Sequence, residues 1–146
     1  MLKITINETV SAKFLNMLKN APAKSKKITS IALRRAGDEL RNDAVRNAPY
    51  KTGNLRRSIT MEPGLPSTHV TVGSNLVYAR IQDVGGEIIP KKKKYLRFQV
   101  NGQWVTTKRV HVPPSRGIGY LTPAFEKLIA GRVDKIFMEE INNVLR

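Results

Sequence analysis

The side chains in this chain with the chemistry for catalysis or metal binding are few and scattered. His69 and His111 both fall within predicted strands, and neither has a second histidine or an acid at ligand spacing. A metal site needs three or four converging ligands, so no metal is expected. Asp38, Glu39, Asp43, Asp83 and Glu87 are the acids of the middle region. Acid–base work needs two of them to converge in a cleft. Asp38 and Asp43 lie among arginines at helical spacing, which predicts exposed ion pairs of little energetic weight. Asp83 stands just before Gly85-Gly86, and its carboxylate is expected to satisfy backbone donors of that turn. Ser58 and Ser74 lack the glycine-flanked elbow of a nucleophilic serine. Gly117-Ile118-Gly119 lacks the spacing and the lysine of a phosphate loop. No catalytic constellation results and no cofactor is implied, so the expectation is a building block and not an enzyme.

The remaining chemistry is charge. The 146 residues hold 26 basic and 11 acidic side chains, a net charge of +15. Residues 24–58 contribute ten basic and three acidic groups, residues 91–116 eight basic and none acidic, and residues 117–146 four of each. Clustered positive charge attracts polyanions by Coulomb steering and counterion release. A solvated surface or an acidic protein partner would use the same pattern. Lys91-Lys92-Lys93-Lys94 is the sharpest local feature, because four adjacent like charges repel and must face water or a polyanion. With Arg97, Lys108 and Arg109 they would make one basic edge. That edge either touches DNA phosphates without reading sequence or merely prevents edge-to-edge sheet pairing.

The elements that position these groups are legible from periodicity. One domain over residues 1–146 is the expectation from length. Residues 2–6 alternate as a strand, and Val10, Phe14, Leu15 and Leu18 repeat at helical spacing over 8–20. A longer helix runs from Ser25 or Lys26 to about Asn47, with an apolar stripe of Ile28, Ile31, Ala32, Leu33, Ala36, Leu40, Ala44 and Val45. Gly37 interrupts it at about 1 kcal/mol relative to alanine, which marks close packing against a neighbour. Strands are predicted at 55–62, 69–74 and 87–89, and a short helix over 76–84. Asn101-Gly102 between 95–100 and 104–112 is a strong hairpin signal. A single amphipathic helix is expected from Leu121 to Leu145, with Thr122 as cap and Pro123 at its first position. Most of the nine aromatic residues fall on apolar faces and read as core. The sum is an α+β fold, with N-terminal and C-terminal helices packed on a central antiparallel sheet. Cysteine is absent, so no disulfide framework exists. No apolar run approaches a membrane span, and the N-terminus does not read as a signal peptide.

Four blocks recur in a fixed order. They are Ala48-Pro49-Tyr50-Lys51-Thr52-Gly53-Asn54-Leu55-Arg56-Arg57-Ser58-Ile59, then Tyr78-Ala79 through Gly85, Pro90 through Phe98, and Arg116 through Ala124. In this grammar the chain resembles a family of small tail components of tailed bacteriophages, the tail-completion or head–tail joining proteins. The matches span roughly residues 30 to 130. Asp83 stands where the family usually has glutamate, and a looser loop replaces the usual Arg-Pro-Phe of the last block. The resemblance implies a structural virion protein of a phage or prophage, made in the host cytoplasm and placed at the neck. It implies a ring, six copies by analogy, that docks on the major tail protein and a head-completion protein; in such a ring the basic edge would face the lumen and the passing phage DNA. The docking loops expected are Pro63-Gly64-Leu65-Pro66 and the stretch holding Pro113, Pro114, Arg116 and Tyr120. The competing reading is a basic protein that binds nucleic acid without sequence preference.

Overall fold

The computed structural model describes residues 2–7, 22–64, 69–114 and 119–145. The helix expected over 8–20 lies outside these residues.

The longest element, α1 (Pro22–Asn47), organises the rest. It begins at Pro22, a residue suited to the first helical turn because its missing N–H has no partner there anyway. It ends because Pro49 disfavours helical geometry in the residue before it. Ile28, Ala32, Leu33, Ala36, Leu40 and Ala44 form its buried face, and Ile31 stays at the surface. One flank of that face packs on a three-stranded antiparallel sheet, ordered β1 (Leu2–Asn7), β3 (His69–Ser74), β2 (Ile59–Pro63). The register sets Ile4 opposite Val72 and Ile59 opposite Ser74. Val70 and Val72 point inward, and Thr71 meets Thr5 on the outer face with 3.3 Å between hydroxyls. The predicted close approach at Gly37 is present. A Cβ there would run into Val70 Cγ1 and come within 3.1 Å of Met61 Cγ.

The other flank of α1 meets two helices, α4 (Thr122–Ile129) and α5 (Arg132–Leu145). Arg35, Glu39 and Asp43, four residues apart, line that seam. They pair with Glu139 and Glu140, with Arg132, and with Lys127 respectively. The layers therefore run sheet, α1, C-terminal helices. The C-terminal helices find their principal contacts on α1, not on the sheet as expected. The single helix expected over 121–145 is broken at Ala130-Gly131, where Gly131 has φ 126°, a conformation open to glycine and strained for other residues. Ile129 is left half-exposed at the break.

Two further expectations change. The stretch predicted as a strand from Leu55 opens as a helical turn, α2 (Asn54–Ser58), before β2 begins. Leu55 and Ile59 are both buried, and their spacing of four belongs to a helix. The central sheet is also divided. β4 (Gly86–Ile88) pairs with β7 (Val110–Val112), and β5 (Leu96–Val100) pairs with β6 (Gln103–Thr107). These are two separate ribbons. Among the described residues no helix is long and apolar enough to cross a membrane.

Candidate assembly surface

Three constructions present the surface: a corner, a latch and an arm. The corner is residues 48–59. Its arginines are spent on the chain itself. Arg56 Nε donates to the Ala48 carbonyl at 2.9 Å and its guanidinium lies 5.3 Å from the Tyr50 ring centre. Arg57 donates to Asn54 Oδ1 at 2.6 Å, and Arg41 Nε reaches the Ile59 carbonyl at 3.0 Å. Ser58 Oγ and Ser74 Oγ are 2.7 Å apart, and Ser74 Oγ accepts the Leu76 N–H. Both serines thus close turns. Beside the corner runs α3 (Ala79–Val84). Pro49, Lys51, Thr52, Gly53, Leu55, Tyr78 and Gln82 line a groove of about 360 Å³ between the two segments. Val77, next in sequence to Tyr78, is 89 % exposed.

The latch is Asp83 on α3. Its side chain is only 1 % exposed. Oδ1 accepts the backbone N–H groups of Tyr120 at 2.7 Å, Leu121 at 2.6 Å and Thr122 at 3.3 Å, and Oδ2 accepts the Thr122 hydroxyl at 2.6 Å. The first turn of a helix has unpaired N–H donors and a partial positive charge, and a carboxylate satisfies both. The helix α4 lacks a side-chain cap at its own Leu121. An acid 38 residues earlier supplies it. The expected partner, the Gly85-Gly86 turn, is therefore corrected. Thr122 takes part as a donor to Asp83. Gly119 makes the close approach possible, since a Cβ there would sit 2.7 Å from Asp83 Oδ1.

Tyr120 is carried inward by the same latch. It is completely buried, so its assignment to an exposed docking loop is wrong: the backbone on either side is held to Asp83 and Asn47. Its hydroxyl has no hydrogen-bond partner among the described residues. Burial, and then the nearby Asp83 charge, hold the phenol pKa above its ordinary value.

The arm is residues 86–112. β4 and β7 form its stem, with Glu87 and Arg109 3.9 Å apart. β5 and β6 form its outer ribbon and make their principal contacts with each other. Asn101 and Gly102 turn with φ of 50° and 82°, the left-handed pair a two-residue hairpin requires. The strand predicted from 104 to 112 is interrupted at Lys108-Arg109, where the Thr107 hydroxyl donates to the Arg109 carbonyl at 2.9 Å. Lys91 to Lys94 sit on the longer connection between stem and ribbon, all exposed. Arg97 lies 4.6 Å over the Trp104 ring and Lys94 5.9 Å from the Tyr95 ring. Trp104 is 59 % exposed, and Tyr95, Val100 and Val105 are also at the surface.

Residues 12–85 match a family described as "Bacteriophage HK97-gp10, putative tail-component". That is half of the chain. The chain belongs to this family. No curated protein and no solved structure matches it. The tail-component match takes in the corner and the YA block and ends at Gly85. It thereby includes Asp83, whereas the residues Asp83 holds lie beyond it, as does the arm.

The structure brings Lys91, Lys92, Lys93, Lys94, Arg97, Lys108 and Arg109 onto one arm. Of the expected docking residues, Pro63 and Gly64 end β2, and Pro113 and Pro114 follow β7. Leu65, Pro66 and Arg116 lie outside the described residues. The expectation that most of the nine aromatic residues are core does not hold for Tyr50, Tyr78, Tyr95 and Trp104, which are exposed. The signal for Tyr95 and Trp104 was their place beside lysines and a tight turn in a hairpin with no third strand.

Proposed function

We propose that this phage tail component completes the tail at the neck, assembling as a ring that docks on the major tail protein and on a head-completion protein. It acts by assembly, not by catalysis. The observation carrying this reading is what the family-matched part leaves at the surface: Val77 and Tyr50 are exposed, and so is Tyr78, which lines the groove beside the internally hydrogen-bonded corner. Exposed apolar patches next to a groove are features of protein interfaces. Pro63-Gly64 and Pro113-Pro114 supply further docking edges, and six copies remain the stoichiometry suggested by family analogy. A stop codon early in the gene of the parent phage tests the reading. The expected lysate shows DNA-filled heads beside unattached tails, or tails of aberrant length, by negative-stain microscopy. Normal virions would overturn it.

A further inference from the structure

The arm is the part of the molecule that the assembly reading leaves unused. Among the described residues, six of the eight arginines outside it bind a carbonyl, an amide or an acid of the chain. Within the arm only Arg109 has an acidic partner, and Lys91, Lys92, Lys93, Lys94, Arg97 and Lys108 have none among the described residues. The arm holds seven basic residues and one acid over 27 positions. Its ribbon has no buried face of its own, and an isolated two-stranded ribbon is marginal in water. Six cations without an acidic partner among the described residues, on an element with no buried ribbon face, are open to an opposing surface dense in negative charge.

We propose that residues 86–112 are a phosphate-binding arm for duplex DNA, which they hold without regard to sequence through Lys91 to Lys94, Arg97 and Lys108. Five-residue strands span roughly 17 Å, and duplex DNA presents about ten charges over that length. A protein partner would have to present six carboxylates in register, whereas DNA offers them wherever the arm lands. An antiparallel ribbon is also narrow enough for the major groove, about 12 Å wide. Trp104 stacks under Arg97 and holds that guanidinium, still charged, over the exposed face of the ribbon. This contact is independent of the neck assignment, because it is a property of the isolated chain.

Trp104 is the only tryptophan of the protein, so its fluorescence reports on the arm alone. The full-length chain is titrated with two labelled duplexes of unrelated sequence, following anisotropy and tryptophan emission together. Equal affinities are expected, with emission changing over the same concentration range and a log–log salt slope of up to about −5. Changing all four of Lys91→Gln, Lys92→Gln, Lys93→Gln and Lys94→Gln is expected to reduce the slope by about 3 to 4 and the affinity on the order of 100-fold at about 0.1 M salt. Lys26→Gln with Lys27→Gln, on the exposed start of α1, should leave both nearly unchanged. Circular dichroism verifies that each variant is folded. Should the quadruple variant fail that check, Lys92→Gln and Lys108→Gln alone should each lower the slope by about one. Full affinity in the lysine variants, or Trp104 emission unmoved at saturation, would overturn the proposal. Displacement of the DNA by polyglutamate at equal charge concentration would overturn it in favour of an acidic protein partner.

Discussion

The body and the arm of this protein use the same residue types in opposite ways. In the body, a buried apolar core lies beside arginines that are mostly tied down: Arg35 to Glu139 and Glu140, Arg41 to a carbonyl of β2, Arg56 to Ala48. In the arm, Trp104, Tyr95 and Val100 are outside and the lysines are free of acids. Composition cannot separate these cases, because both regions are basic with interspersed apolar residues. The difference lies in what each element packs against. α1 has a sheet on one flank and helices on the other, while β5 and β6 chiefly have each other. Charge in the body thus contributes to the fold, and charge in the arm is left for a partner.

This contrast predicts that body substitutions move stability and arm substitutions move binding. The largest effect is expected at the latch. Asp83→Ala strands three backbone donors at the start of α4, and should lower unfolding free energy on the order of 3 kcal/mol in a urea titration. Asp83→Asn, which keeps an acceptor oxygen, should lose less. Next is Gly37→Ala, where the added methyl meets Val70. Overpacking of this kind costs about 1–3 kcal/mol. Adding Val70→Ala should recover part of it, and additive losses would show that the two positions do not touch.

Tyr120→Phe gives a smaller change of opposite sign. Removing a buried hydroxyl that has no partner among the described residues should leave stability equal or raise it by up to about 1 kcal/mol. The phenol pKa is raised in the folded state, so stability is fully present below the ordinary tyrosine value of about 10. Above that pH the unfolded chain ionises while the folded one does not, and stability falls. The phenylalanine variant should lose that part of the alkaline dependence, measured as urea midpoints across pH 8 to 11 or so. Smallest of all is the effect of the four-lysine variant on stability. Its urea midpoint should match the parent's while DNA affinity collapses, and a large shift in midpoint would dissolve the distinction between body and arm.

Much of the body was legible beforehand. The stripe of α1, the stop at Pro49, the alternation of β3 and the Asn101-Gly102 turn are all local patterns, and each is where periodicity and turn chemistry put it. Gly37 was read as a packing contact because a glycine mid-helix is otherwise unfavourable. The misreadings have a common form. Leu55 to Ile59 reads as the opening of a strand, yet its two buried residues stand four apart. The C-terminal helix was drawn through Gly131 because apolar residues continue on both sides. Tyr120 was placed in a loop, correctly as to backbone, but its side chain enters the core.

What the sequence determined by itself was therefore the inventory: an α+β chain, a basic surface, a long central helix, a tight hairpin and the ordered blocks that mark a phage tail component. Those follow from interactions among residues a few positions apart. Tertiary structure alone decided that Asp83 caps a helix that begins 39 residues later, that the sheet divides into three, and that the aromatic residues of the hairpin stay outside. The physical reason is that burial is a property of pairs of elements. Helical and strand propensities act within a segment, whereas a carboxylate's donors and a ribbon's missing second layer depend on what the rest of the chain brings alongside.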